Sequence, residues 1–375
     1  MAGIYIHIPF CRQKCYYCDF YKTVNISHKS EFIWAIQKEA KNRKRYIESG
    51  IIETIYFGGG TPSVFKTGEI AEILQFFKSE FDVDSGAEIT LEANPDDLNL
   101  DYLEGLFGAG INRLSIGLQA FQNEHLKRMN RRHDVQQAVS SVKNAKKAGF
   151  KNISVDLIYG LPGLTNSQWK NTLEQVFSLP FQHLSAYHLT YHQGTPFYTW
   201  LKKGTLKELG EGESVEQFEM LIDTAEKFGF EHYEISNLAK NQLYSKHNTS
   251  YWTGKKYLGL GPSAHSFNGN SRQWNMANLD GYLKALKNNL SFFEVETLSE
   301  NEKFNEYVLT RMRTKWGIEE QQIKEIFGAK LLQHFRKEVK KYMISGMVKN
   351  ESGIFTFTRK GLLVSDNILS NLMII

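Results

Sequence analysis

The sequence predicts an α/β fold: a partial (β/α)6 barrel followed by a smaller, mostly helical domain that resembles a winged helix. Three observations predict it. Six short apolar runs recur through the first half of the chain, at 3–8, 53–57, 88–92, 112–116, 153–159 and 184–189. The stretches between them repeat apolar residues with helical periodicity, and the loops are short, which is the pattern of a parallel sheet wrapped by helices. From about residue 280 the alternation gives way to consecutive helices and a short hairpin.

The elements follow in order. Phe32, Ile36, Ala40 and Ile47 share one face between the first two strands; Leu98, Leu103, Leu106 and Phe107 do so before the fourth. Val135, Ala138, Val139, Val142, Ala145 and Ala148 form the stripe before the fifth. Gly110 and Gly149 stand where helix C-caps need a left-handed residue. A strong helix is predicted over 213–228, and the unpatterned stretch 194–212 reads as a lid or crossing segment. A last helix over 331–345 leads into two short strands around 350–353. These elements divide the chain into a barrel at 1–230, a connecting segment at 231–275 and a C-terminal helical domain at 276–375.

The chain has 375 residues, with 45 Lys+Arg against 41 Asp+Glu and a net charge of +4, too small to argue for nucleic acid. Hydrophobic residues make up 41 % and charged residues 23 %, enough apolar content for a sizeable core. No apolar run approaches the ~20 residues of a spanning helix. Met1-Ala2-Gly3 runs directly into strand-like Ile4-Tyr5-Ile6-His7-Ile8, so no export signal is expected.

The 3 cysteines, Cys11, Cys15 and Cys18, all lie in the loop after the first strand, spaced C-x3-C-x2-C. So tight a set is no disulfide framework, and a reducing compartment is expected. Three thiolates are one short of a closed zinc site, which would need His7 or Asp19 as fourth ligand. They are also one short of a fully ligated 4Fe–4S cluster, where they would leave one iron open to an exogenous ligand.

This spacing after a first strand resembles the radical S-adenosylmethionine (SAM) superfamily. His7-Ile8-Pro9-Phe10-Cys11 and Cys15-Tyr16-Tyr17-Cys18-Asp19-Phe20 are similar to the branch that holds oxygen-independent coproporphyrinogen III oxidases and the HemW heme chaperones, and the likeness runs over nearly the whole chain. It implies a partial (β/α)6 radical SAM barrel, a 4Fe–4S cluster on Cys11, Cys15 and Cys18, and SAM on the open iron. The chemistry implied is one-electron cleavage of SAM to methionine and a 5'-deoxyadenosyl radical.

Ligands of parallel barrels sit at the C-terminal ends of strands. There the second strand ends in Gly58-Gly59-Gly60-Thr61-Pro62, resembling the loop that binds the SAM amino group through Gly59, Gly60 and Thr61; Thr61-Pro62 equally suits a helix start. The resemblance makes Glu92, after the third strand, a SAM ligand, suited to a ribose diol or an ammonium. It likewise assigns Gln119 and Arg131 to SAM, the guanidinium facing its carboxylate. Asp156, an acid among strand-forming apolar residues, must be paired or turned to a site. Tyr5 and Tyr17 match positions that pack on the cluster or on SAM.

Oxidases of the branch carry a further Cys two residues after the third ligand. Here that residue is Phe20, and only ten residues precede Cys11, both as in the HemW group. His247-Asn248-Thr249-Ser250-Tyr251-Trp252 matches that group's HNxxYW motif, associated there with heme, which implies His247 as axial ligand with Tyr251 and Trp252 on the porphyrin; His265 is an alternative. The expectation is a carrier that binds heme, a 4Fe–4S cluster and SAM and delivers heme to a respiratory, membrane-bound acceptor. It would be cytoplasmic or peripheral at the inner face of the membrane, a homodimer is conceivable, and no nucleic acid is expected. The rivals are coproporphyrinogen III oxidase, another porphyrin-modifying radical SAM enzyme, and a nucleic-acid module built on the winged-helix-like end.

Overall fold

The computed structural model describes residues 1–48 and 50–374. Six parallel strands, β1 (Ala2–Ile8), β2 (Ile52–Gly59), β3 (Val83–Ala93), β4 (Arg113–Gln119), β5 (Asn152–Tyr159) and β6 (His183–His188), pair in chain order. All six expected runs are strands. Alternation sorts their side chains: Ile4, Ile6 and Ile8 are fully buried under the helices, while Gly3, Tyr5 and His7 point to the opposite, inner side.

The sheet continues past the six strands at both edges, which the sequence pattern did not predict. Beyond β6 stands a hairpin, β7 (Glu231–Glu234) and β8 (Asn237–Ala239), antiparallel to it. Beyond β1 stands β9 (Lys256–Leu260), parallel to it, then β10 (His265–Phe267), β11 (Ser271–Asn275) and β12 (Phe293–Thr297) as an antiparallel ribbon. These strands are short and mixed in polarity, so periodicity alone does not reveal them.

A buried ion pair fixes the ribbon to the barrel. Arg43, at the end of the helix Lys29–Arg43, donates to Glu39 at 2.5 Å, Ser266 Oγ at 2.9 Å and Gln273 Oε1 at 2.6 Å. Glu39, fully buried, also accepts from Gly261 N at 2.9 Å, Asn275 Nδ2 at 2.7 Å and Tyr282 Oη at 2.5 Å. The charges are removed from water only because every acceptor position is taken.

The stretch 194–212 contains a helix, Pro196–Lys202, capped by Thr195, whose hydroxyl accepts from Tyr198 N at 3.2 Å. Its Thr-Pro start is a capping signal that seven residues of weak periodicity obscured. The helix Glu211–Lys227 follows where expected. The expected boundary at 276 falls inside the first core: Leu279, Tyr282, Leu283, Leu286 and Phe292 pack with the barrel, and β12 belongs to its sheet. A second core begins at Phe304 and runs to Leu372. It is helical, with the helix Glu320–Ile344 broken at Gly328 and a three-stranded sheet of β13 (Ile318–Glu319), β14 (Val348–Glu351) and β15 (Ile354–Phe357). Among the described residues no helix is long and apolar enough to cross a membrane.

Candidate functional site

The loop after β1 is held from several sides. Cys11 N donates to Thr23 O at 2.9 Å, Thr23 N to Pro9 O at 2.7 Å, and Tyr16 N to Met129 O at 3.1 Å. Phe197 N donates to Tyr16 O at 3.1 Å, and Tyr16 meets Trp200 edge to face, so the helix within the stretch expected as a lid or crossing segment is a wall of the loop. All three cysteines are free thiols and line one cavity of about 420 Å³ at the C-terminal ends of the strands. Burial pushes the Cys11 and Cys18 thiols up. Among the described residues no three His, Cys, Asp or Glu side chains converge on one ion. Three thiols lining one cavity suit a cluster, in which each sulfur binds a different iron, and are one ligand short of a closed zinc site.

Two glycines are required by contact. A Cβ on Gly60 would stand 2.8 Å from both Ile8 O and Phe10 O and 3.1 Å from Cys11 Sγ. Gly59 has φ +102°, and a Cβ there would meet the His7 ring at 2.7 Å. The loop turns so that Gly59 N donates to Glu92 Oε2 at 3.2 Å, while Tyr56 Oη donates to Oε1 at 2.8 Å. Burial raises the Glu92 carboxyl to about 7, only partly opposed by these donors. Thr61 donates to Cys11 Sγ at 3.3 Å. The residues Gly59, Gly60, Thr61 and Glu92 therefore share the cavity with the cysteines.

The strand β4 ends in a bulge between Gly117 and Gln119, and Gln119 takes φ +67°, a strained conformation for a residue with a side chain. The bulge brings Gln119 into the cavity beside Arg131. Arg131 is half-buried and turned inward, not a solvated helix end. Its Nη2 donates to Asn94 Oδ1 at 2.7 Å and Gly117 O at 2.9 Å, and its Nη1 lies 3.5 Å from Cys15 Sγ. Its Nε has no partner among the described residues. An unsatisfied buried guanidinium donor beside the cavity fits a carboxylate ligand such as that of SAM. Asp156 accepts from Ser115 Oγ at 3.1 Å and is raised by burial to about 6. Tyr17 lines the cavity, its hydroxyl pushed up by burial and by Cys15.

Other expected site residues stand elsewhere. Tyr5 is not part of the cavity lining; it lies one layer below, tilted on Tyr56 with ring centroids 6.1 Å apart and bonded to His7 Nδ1 at 3.2 Å. His247, on the helix Lys246–Trp252, is 1 % exposed. That helix plugs the N-terminal end of the barrel: Lys246 N and His247 N donate to Glu88 on β3, and the His247 ring stacks on Tyr56 at 5.0 Å. Thr54 Oγ1 lies 2.7 Å from its Nδ1 and Tyr251 Oη 2.8 Å from its Nε2. With both ring nitrogens bonded and burial lowering it to about 3, His247 is a satisfied core histidine here, and neither ring nitrogen is free for iron. Tyr251 serves that bond, and Trp252, half-buried, takes no place in the ring cluster among the described residues. His265 is exposed on β10, facing Trp274.

Sequence reasoning missed Tyr56, Asn94, Ser115 and Asn248, which line the cavity. The signal was available for Tyr56 and Ser115: each lies on the inward alternation of its strand, two residues from Gly58 and Gly117.

The radical SAM superfamily model matches residues 5–176, and the model of the HemN C-terminal domain matches residues 298–364. The chain is 31 % identical over 371 residues to the heme chaperone HemW of Bacillus subtilis (strain 168), covering 98 % of each chain. It is also 31 % identical to the heme chaperone HemW of Lactococcus lactis subsp. lactis (strain IL1403), covering 99 % of this chain and 97 % of the relative. Among solved structures it is similar to coproporphyrinogen III oxidase (HemN) from Escherichia coli, with TM-score 0.86 at 23 % identity, over 99 % of this chain and 90 % of that one. That likeness shows the fold, a radical SAM barrel with a helical C-terminal domain. Identity at this level along the full length of both chains places the protein in the HemW family of the radical SAM superfamily.

Proposed function

We propose that the protein is a heme carrier that binds heme, a 4Fe–4S cluster and SAM and passes the heme to an acceptor protein. The observation that carries this reading is the full-length likeness to the HemW chaperones. Phe20 supports it: it stands where oxidases of the branch are expected to carry a further Cys, and it is 61 % exposed at the mouth of the cavity.

Cys11, Cys15 and Cys18 would hold the cluster, with Gly60 and Thr61 packed on Cys11. Glu92, with Gly59, suits the SAM ammonium; Arg131 suits its carboxylate; Gln119 and Asp156 complete the polar wall. Bound SAM supplies one-electron cleavage chemistry at the open iron. The chain's own part is to fix these groups, through the strand ends that carry Gly59, Glu92 and Gln119 and through the pinned loop of the cysteines. We place the carrier in the cytoplasm, acting on a membrane-bound respiratory acceptor, as the small cluster of unpaired thiols suits a reducing compartment.

Anaerobically reconstituted protein given coproporphyrinogen III, SAM and a reductant should form no protoporphyrinogen IX, and the same preparation should bind hemin stoichiometrically. Turnover of the porphyrinogen would establish the oxidase instead. Sedimentation with and without hemin reads whether the carrier is a monomer or a homodimer.

A further inference from the structure

We propose that one end of the C-terminal domain docks on an anionic lipid bilayer, through four exposed apolar side chains set among lysines. The proposal stands on residues 336–364 and does not draw on the heme-carrier reading. Met343 and Ile344, at the end of the helix Glu320–Ile344, are 39 % and 78 % exposed. Leu363 and Val364, at the end of the helix Arg359–Leu363, are 38 % and 42 % exposed. The two ends are stitched together: Thr358 N donates to Met347 O at 3.0 Å, and Thr358 Oγ1 to Gly346 O at 2.8 Å. A Cβ on Gly361 would overlap Met347 O, so the short helix passes directly against the chain leaving the long one. Scattered exposed apolar residues are ordinary, but four of this size on two joined helix ends form a patch.

The charge around the patch has one sign. Residues 336–363 hold seven Lys and Arg against two Glu, a larger excess than the +4 of the whole chain. Lys337, Lys340 and Lys341 lie on the same side of the helix as Ile344, away from the core residues Leu332, Phe335 and Val339. Glu338, the one acid in these last turns, has its side chain 23 % exposed and lies 3.6 Å from both Lys337 and Lys341. Lys340 and Lys360 form no ion pair among the described residues. Arg359 is spent on the barrel, donating to Asp223 at 2.6 Å and Glu226 at 3.1 Å, which ties the patch to the helix Glu211–Lys227.

A bilayer surface offers both halves of the match. Its phosphate groups accept from the lysine ammonium groups, whose stems lie along the surface, and the acyl boundary below takes the apolar tips. Ile344 is the most exposed large apolar side chain among the described residues, a projecting tip that suits a surface able to yield around it. A second copy of the chain would bring the same lysines face to face, as an isologous contact does, and charge opposes that pairing.

The test is flotation of the full chain carrying its cluster with vesicles of phosphatidylcholine, alone or mixed with phosphatidylglycerol. The chain should float with the anionic vesicles and not with the neutral ones, and added salt should release it. Lys340→Glu with Lys341→Glu should weaken the partition about tenfold or more, and Ile344→Ser several-fold. Lys143→Glu with Lys147→Glu, the same charge change at exposed positions of the helix Val135–Lys147, should leave it unchanged. Thermal unfolding of the patch variants should match the wild type, which shows that they fold. Wild-type chain that floats with neither lipid, or with both alike, would overturn the proposal. Flotation of Lys340→Glu with Lys341→Glu at wild-type strength would do the same. Self-association in sedimentation velocity that Ile344→Ser abolishes, without flotation, would give the patch to a second copy and overturn it as well. Each of these results leaves the heme-carrier reading where it stands, because hemin titration reads that separately.

Discussion

The Arg131 guanidinium reaches Cys15: its Nη1 lies 3.5 Å from the thiol sulfur while its Nη2 is anchored on Gly117 O. One side chain thus couples a cluster cysteine to the bulged end of β4. Burial works against its charge, and the Cys15 sulfur beside it favours it. Its Nε has no partner among the described residues, which suits it to the carboxylate of SAM as proposed above.

Arg131→Ala should therefore lower SAM affinity by about 10–100-fold, the range of a lost charge-assisted pair of bonds. Arg131→Lys should recover only part of it, because an ammonium cannot hold Cys15, Asn94 and a ligand in one plane. Equilibrium dialysis with labelled SAM, normalised to cluster iron, measures both.

SAM affinity should also depend on pH through Glu92. Its carboxyl is raised to about 7, and a carboxylate attracts the SAM ammonium only when ionised. Between pH 8 and pH 6 the ionised fraction falls roughly tenfold, and affinity should fall by about that factor. Glu92→Gln should bind weakly with a flat profile over this window. The sign for stability is opposite. A carboxyl whose folded value lies above its unfolded one binds more protons when folded, so the ligand-free chain should gain stability as pH falls from about 7 toward 4.5. Urea midpoints at pH 7.5 and 6 without SAM should show that rise, with Asp156 adding to it below about 6.

Gly60→Ala should abolish cluster assembly, because its Cβ would stand 2.8 Å from two backbone carbonyls that cannot move without shifting Cys11. Gly68→Ala, where nothing stands within 4 Å, should assemble a normal cluster. Iron and sulfide content of the two variants makes the comparison.

The six inner strands and the polar residues at their ends were legible because alternation, glycine runs and local spacing are properties of short windows. Cys11, Glu92, Arg131 and Asp156 meet in the cavity as those windows implied. The role of His247 was not legible: HNxxYW names residues, but whether a ring nitrogen is free depends on Thr54, almost two hundred residues away in sequence. The outer strands β10 to β12 were missed because their stability comes from Arg43 and Glu39 on a distant helix.

That last dependence gives the final prediction. Arg43→Met removes one partner of a buried pair and leaves Glu39, fully buried, with its charge uncompensated. The cost of such a broken pair is about 3–5 kcal/mol. The double variant Arg43→Met with Glu39→Gln retains an uncharged hydrogen-bonding group for Gly261 N, and should recover a large part of the loss. The ribbon β10–β12 should lose amide-exchange protection in the single variant before β1–β6 do, because Ser266, Gln273 and Asn275 take their anchor from Arg43 and the inner strands do not. Equal loss of protection across both sets of strands would mean that the ribbon and barrel unfold as one unit and that the pair is not the ribbon's own fastening.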